Sequence, residues 1–182
     1  MPYDLIVIGS GPGGYVCAIR AAQLGMKVAV IEKDKTFGGT CLNVGCIPSK
    51  ALLHASELYE ESGQLFDKMG IKVGQPKVDL AAMMRFKDQG VEGNVKGVAF
   101  LFKKNNIDTF QGTGRIVTAG EVEVKTADGK SETMEGKAIV IATGSDVRAC
   151  PASISTSGAS SPRPAPWFSI RCRSGYSSSA PA

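Results

Sequence analysis

The stretch YDLIVIGSGPGG at residues 3–14 restricts the fold more than any other part of the chain. Leu5 to Ile8 is a continuous aliphatic run, the pattern of a strand buried on both faces. It feeds directly into Gly9, Gly11 and Gly14, which have G-x-G-x-x-G spacing. The first glycine permits a tight turn, the second lets backbone approach a pyrophosphate, and the third lets helix and strand pack closely. Backbone N–H groups and helix polarity at the start of the next segment then favour negative charge. Pro12 is tolerated there, because a first helical turn has no use for its missing N–H.

Val16, Ala18, Ile19, Ala22 and Leu24 recur at helical spacing and predict a helix that stops at Gly25. Lys27 to Ile31 predicts a second buried strand, ending at Glu32. Glu32 stands 23 residues beyond Gly9, where a carboxylate can accept from both ribose hydroxyls of an adenosine and would repel a 2′-phosphate. A glycine triplet alone is weak evidence. Strand, triplet, helix, strand and terminal acid in this order point to an adenosine-type dinucleotide site, without separating FAD from NAD.

The second informative stretch is GGTCLNVGCIPSK, residues 38–50. Apolar residues at mainly helical spacing predict a helix from about Leu42 to Glu61, distorted at its start by Gly45 and Pro48. Cys41 and Cys46 can bring their sulfurs together if the chain coils tightly between them. Three readings stand side by side: small core residues, a metal clip and a redox pair. A metal needs further ligands, and no nearby Cys-x-x-Cys supplies them; His54 is the only histidine. Lys50, one turn past Cys46, would stabilise a thiolate and favours the redox reading. His54 is more readily structural or exposed than catalytic.

At 182 residues the chain can bury the core of one ordinary domain. Its charge of +4 is uneven: residues 1–149 carry 18 Lys and Arg against all 17 acids, and the remainder adds only Arg163, Arg171 and Arg173. That is no nucleic-acid footprint, and the apolar runs are too short to span a bilayer. Cytoplasm is the expected compartment, a processed mitochondrial form being compatible. Five cysteines without dense spacing do not suggest a secreted disulfide framework.

YDLIVIGSGPGGYVCAIRAAQLGMKVAVIEK, GGTCLNVGCIPSKALLHAS and GKAIVIATGS together resemble the dihydrolipoamide dehydrogenase group of pyridine nucleotide-disulfide oxidoreductases, over residues 1 to about 148. The resemblance implies an α/β, Rossmann-like FAD-binding domain with a parallel sheet and an inserted antiparallel β-meander, ending before the NAD domain. It puts Gly9, Gly11, Pro12, Gly13 and Gly14 at the FAD pyrophosphate, and Glu32 and Lys33 at the adenosine end. Gly39, Thr40 and Lys50 would also contact the cofactor, Lys50 near the reactive ring nitrogen. Gly114 would lie near the adenine, and Ala142, Thr143 and Gly144 on a turn returning to FAD. Cys41 would be the interchange thiol, Cys46 the thiol beside the flavin, and no metal is expected.

The implied reaction oxidises dihydrolipoamide, carried on lipoyl domains of 2-oxo acid dehydrogenase complexes or the glycine cleavage system. Electrons would pass through the Cys41–Cys46 disulfide and FAD to NAD. The full-length form is expected to be a homodimer. Alternatives are a reductase acting on glutathione or mercuric ion, or a non-catalytic FAD-binding fragment.

Further along, a short strand is expected near Ile71 to Val73 and a helix from Val78 to Lys104, with Met83 and Met84 as core fillers. Ile107 to Gln111 predicts a parallel strand, and Ile116–Val117, Glu121–Thr126 and Ser131–Met134 the meander. Residues 150–182 hold ten serines, five prolines and no acid. They read as a disordered tail, or as translation out of frame after about Arg148 or Ala149, which is the favoured account. With no second glycine-rich nucleotide turn, the 182 residues are expected to have negligible turnover of their own.

Overall fold

The computed structural model describes residues 2–145; the expectations for the segment 150–182 fall outside the described residues. The chain starts with β1 (Tyr3–Ile8), α1 (Pro12–Gln23) and β2 (Val28–Glu32), the βαβ beginning expected from the glycine triplet. Next come α2 (Gly39–Asn43), α3 (Cys46–Gln64) and α4 (Leu80–Lys104). The sequence of elements closes with β3 (Asp108–Gln111), β4 (Thr113–Thr118), β5 (Glu121–Lys125) and β6 (Ser131–Ile141).

The strand order is β3-β2-β1-β6-β5-β4. β1 pairs in parallel with β2 on one side and with the second half of β6 on the other, and β3 extends the parallel part beyond β2. β4, β5 and the first half of β6 run antiparallel. The α/β architecture with a parallel sheet and an antiparallel meander is therefore present.

Alternation along the strands divides the core between two faces. Leu5, Val7, Val28 and Val30 pack with Ala18 and Ala21 of α1 and with Val98 and Phe102 of α4. Ile6, Ile8, Ala29 and Ile31 pack on the opposite side with Val122, Val124 and Met134 of the meander. Helices thus cover one face and the meander the other, which is why both central strands read as unbroken aliphatic runs.

Four local expectations are corrected. The helix predicted from Leu42 to Glu61 is two helices, because Pro48 has no N–H to donate to the Val44 carbonyl and the chain turns at Gly45 instead. No strand forms at Ile71–Val73, whose Ile71 and Val73 are about half exposed and have no neighbouring strand. The last meander strand and the AIVIA run are one continuous strand of 11 residues. Gly136 is its changeover point, where a β-carbon would stand 2.8 Å from Ile6 Cδ1. On α1 the buried stripe is Gly14, Ala18 and Ala21, leaving Val16 and Leu24 largely exposed.

Candidate functional site

The carboxyl ends of β1, β2 and β6 converge on the first glycine turn. Gly9 sits at φ +99°, and a β-carbon on it would stand 2.3 Å from the Ala142 carbonyl oxygen. A β-carbon on Gly14 would stand 1.9 Å from the Gly9 oxygen and 3.4 Å from Ala142 Cβ. Ala142 donates its N–H to the Ile8 carbonyl at 2.8 Å, so the segment Ala142–Gly144 crosses directly over the turn. Gly11 and Gly13, by contrast, have open space where a side chain would stand. Pro12 begins α1, and no side chain caps the N–H groups of that first turn. The result is a bare backbone cradle at a helix N-terminus, suited to a phosphate.

Glu32 ends β2 and is buried, at 5% exposure. Its Oε2 accepts from the Ser10 N–H at 2.9 Å and from the Ser10 hydroxyl, and its Oε1 accepts from the Asp34 N–H at 3.0 Å. The carboxylate is thereby held at the mouth of the glycine turn, in charge-assisted hydrogen bonds. Lys33 is exposed and lines an open cleft of about 1120 Å3 with Lys35, Gln111, Lys125 and Lys130. Gly114 backs onto the ends of β1 and β2, where its β-carbon would stand 3.1 Å from Ile8 Cγ2 and 3.3 Å from Ile31 Cγ2.

The cysteine segment is fastened to the same turn. Gly38 donates its N–H to the Ser10 carbonyl at 3.0 Å and to the Ser10 hydroxyl oxygen at 3.2 Å. Gly39 follows at φ +59°, so close that a β-carbon would stand 2.9 Å from Gly11 Cα. Asn43 completes the brace: its amide donates to the carbonyls of Phe37 at 3.1 Å and Gly39 at 2.9 Å, and accepts from the Thr36 hydroxyl at 2.9 Å. The ring of Phe37 packs edge-on against Phe102, with centroids 5.1 Å apart.

Cys41 lies in α2 and is half-buried, whereas Cys46 opens α3 and is exposed; both are free thiols. The turn at Val44–Gly45 brings the two side chains close enough to interact. That contact with Cys46 holds the Cys41 thiol above its ordinary range, and burial and the charge of Cys46 push the same way. The Cys46 N–H and the Lys50 ammonium pull against this without reversing it. Two thiols in contact, one open to solvent, suit dithiol–disulfide exchange. Among the described residues no cluster of His, Cys, Asp and Glu could hold a metal, and His54 is exposed.

The structure therefore brings together Gly9–Gly14, Glu32, Gly39, Cys41, Cys46, Lys50 and Ala142–Gly144 around one end of the parallel strands. Ser10 and Asn43, which connect these parts, are not legible as site residues in the sequence. A serine inside a glycine turn carries no motif signal, and Asn43 could have been suspected only as a local turn-former.

The chain is 56% identical over 145 residues to dihydrolipoyl dehydrogenase 3 of Pseudomonas putida, covering 79% of this chain and 31% of that protein. It is 55% identical over 148 residues to a leghemoglobin reductase of Vigna unguiculata, covering 81% of this chain and 28% of the relative. Among solved structures it resembles the Cu(II) complex of the HOCl-induced flavoprotein disulfide reductase RclA from Escherichia coli. That match has a TM-score of 0.68 at 25% identity, covering 83% of this chain and 30% of the other. The chain thus spans under a third of the length of these relatives. The pattern of the pyridine nucleotide-disulphide oxidoreductases matches residues 3–162, a span containing both the glycine turn and the cysteine pair, and the chain belongs to that family.

Proposed function

We propose that these residues form the FAD-binding, dithiol-bearing part of a dihydrolipoyl dehydrogenase. The carrying observation is that Gly38, which starts the cysteine segment, is hydrogen-bonded to Ser10 inside the glycine turn, so that the thiol pair is built onto the nucleotide cradle. The names of the curated relatives support the substrate class.

The residues fit the cofactor. Gly11 and Gly13 leave the cradle open, the uncapped N–H groups of α1 suit its pyrophosphate, and Glu32 suits its adenosine ribose. Lys33, Gly39, Thr40, Lys50, Gly114 and Ala142–Gly144 are proposed as further contacts. When bound, FAD supplies a two-electron acceptor able to connect thiol chemistry with NAD.

Cys41 is the proposed interchange thiol, which attacks or releases the substrate dithiolane, and Cys46 the thiol facing the flavin. Formation of their disulfide releases two protons and two electrons. Lys50 stabilises the thiolate state, as its effect on Cys41 indicates. Reduction of NAD, dimer formation and docking of lipoyl domains are proposed for a full-length counterpart, and negligible turnover for the 182 residues alone.

The test is reconstitution of the purified protein with FAD, followed by an absorbance scan. Retained flavin that gains a long-wavelength band on mild reduction, lost in Cys46→Ser, supports the assignment. Well-folded protein that never retains flavin overturns it.

A further inference from the structure

We infer that Ser10 is a positioning residue that couples occupancy of the ribose site to the redox equilibrium of Cys41 and Cys46. This rests on the proposed adenosine site at Glu32.

Ser10 is fully buried, and each of its hydrogen-bonding groups goes to one of two residues. Its N–H and hydroxyl donate to Glu32, while its carbonyl and hydroxyl oxygens accept from Gly38. Gly38 is the residue from which α2 departs, and α2 carries Cys41. The hydroxyl therefore lies in an unbroken chain, from the Gly38 N–H through Ser10 Oγ to Glu32 Oε2, in which each bond polarises the next.

Glu32 is nearly saturated before any nucleotide arrives. A carboxylate offers about four acceptor positions, and those of Glu32 already take the Ser10 N–H, the Ser10 hydroxyl and the Asp34 N–H. A ribose donating one hydroxyl hydrogen can be added to these. A ribose donating two exceeds the capacity by one. The two backbone donors are held by the glycine turn and by the end of β2, so the hydroxyl of Ser10 is the donor free to rotate away. Its release alters the bond to Gly38 and hence the setting of the turn that carries Cys41. Neighbouring atoms crowd that turn and limit how it can adjust otherwise: a β-carbon on Gly38 would stand 2.4 Å from Leu42 Cδ2, and one on Gly39 2.9 Å from Gly11 Cα.

By linkage the coupling is reciprocal: a ribose that changes the dithiol–disulfide equilibrium is itself bound differently by the two redox states. The reaction that reports it is exchange with glutathione. Two glutathione thiols give their protons to the Cys41 and Cys46 sulfurs as that disulfide breaks, and one glutathione disulfide forms.

The experiment equilibrates the 182-residue chain in glutathione buffers with saturating ADP, with saturating 2′-deoxy-ADP, and without nucleotide. Binding is followed by calorimetry, and the redox state is read by alkylation and mass spectrometry of the tryptic peptide 36–50, which contains both cysteines. ADP should change the equilibrium constant about fivefold, the lower end of ordinary coupling. The 2′-deoxy compound, with one ribose hydroxyl fewer, should change it less than about twofold. Ser10→Ala should abolish the ADP effect and Ser10→Thr, which keeps the hydroxyl, should restore it. ADP that binds without moving the equilibrium, or moves it equally in Ser10→Ala, overturns the coupling and leaves the proposed function standing. A chain that binds neither ADP nor FAD overturns both. If Ser10→Ala does not fold, the contrast between ADP and its 2′-deoxy form in the unaltered chain decides the matter.

Discussion

Gly14 approaches Gly9 so closely that a β-carbon on Gly14 would stand 1.9 Å from the Gly9 carbonyl oxygen. The obstacle is backbone, which cannot swing aside as a flexible side chain would. Gly14→Ala is therefore expected to force α1 away from the turn and to destabilise the domain by about 3 kcal/mol, the upper end for overpacking. Gly11→Ala meets nothing within 4 Å and should leave the urea midpoint nearly unchanged. Its methyl group would project into the cradle, so FAD or ADP affinity should fall instead. Urea titration and calorimetry on both variants separate the structural glycine from the ligand-facing one.

Phe102 ties α4 to the loop ahead of the cysteine segment, through its edge-on contact with Phe37. It is 1% exposed and belongs to the core beneath α1 and the central strands. Phe102→Ala should cost about 3–5 kcal/mol of folding stability, the range for a buried aromatic ring. The cavity would open beside Phe37, next to Gly38, so alkylation of Cys41 in the folded variant should also quicken. A stability loss below about 1 kcal/mol would contradict this packing role.

The thiol pair predicts a particular pH dependence. Cys41 is held above the ordinary thiol range by its side-chain contact with Cys46, then by burial and by the charge of Cys46. At a fixed pH less of it is thiolate, so iodoacetamide should modify Cys41 slowly until the pH passes the usual thiol value. Cys46→Ser removes the sulfur partner and its charge, which should move the Cys41 profile to lower pH and raise its rate several-fold near neutrality. The linkage has a definite sign as well. The unfolded chain loses the Cys41 proton first, so this contribution to stability is whole below the ordinary thiol range and is lost as pH climbs through the raised folded value. A Cys41 profile that is unchanged in Cys46→Ser would rule out the contact.

The parts of this fold that could be read in advance are those where one residue type answers to one steric demand. Gly9 and Gly14 stand where a β-carbon would collide with backbone, and Leu5–Ile8 and Val28–Ile31 are aliphatic throughout because helices and meander cover both faces. Glu32 was identifiable because its place at the end of β2 follows from the length of the βαβ unit. Local pattern misleads where it competes with partners distant in sequence. Ser131–Met134 and the AIVIA run look like separate strands until β1 and β5 pair with different halves of one. Ser10 reads as filler between glycines, and its role appears only when Glu32, 22 positions on, and Gly38, 28 positions on, converge upon it.

β6 also carries the chain's main liability. Its first half, Ser131–Glu135, pairs with β5, while its second half, from Gly136 to Ile141, pairs with β1 on one side. On the other side that second half has no strand partner among the described residues, and Ile141 is 68% exposed. An aliphatic strand with unpaired N–H and C=O groups is a template for a second copy. Lys137, on this edge and paired with Asp4 at 2.7 Å, places a single charge against such pairing. The isolated chain should therefore associate as its concentration rises. Ile141→Lys adds a second charge at a side chain that contributes little packing. It should weaken association about tenfold, equivalent to about 1.4 kcal/mol, while leaving the urea midpoint close to that of the unaltered chain. Sedimentation velocity over a concentration series measures the first quantity and denaturation the second. Equal association in both proteins would mean that contact between copies is made elsewhere, for instance through the exposed Leu53, Leu58 and Tyr59 of α3.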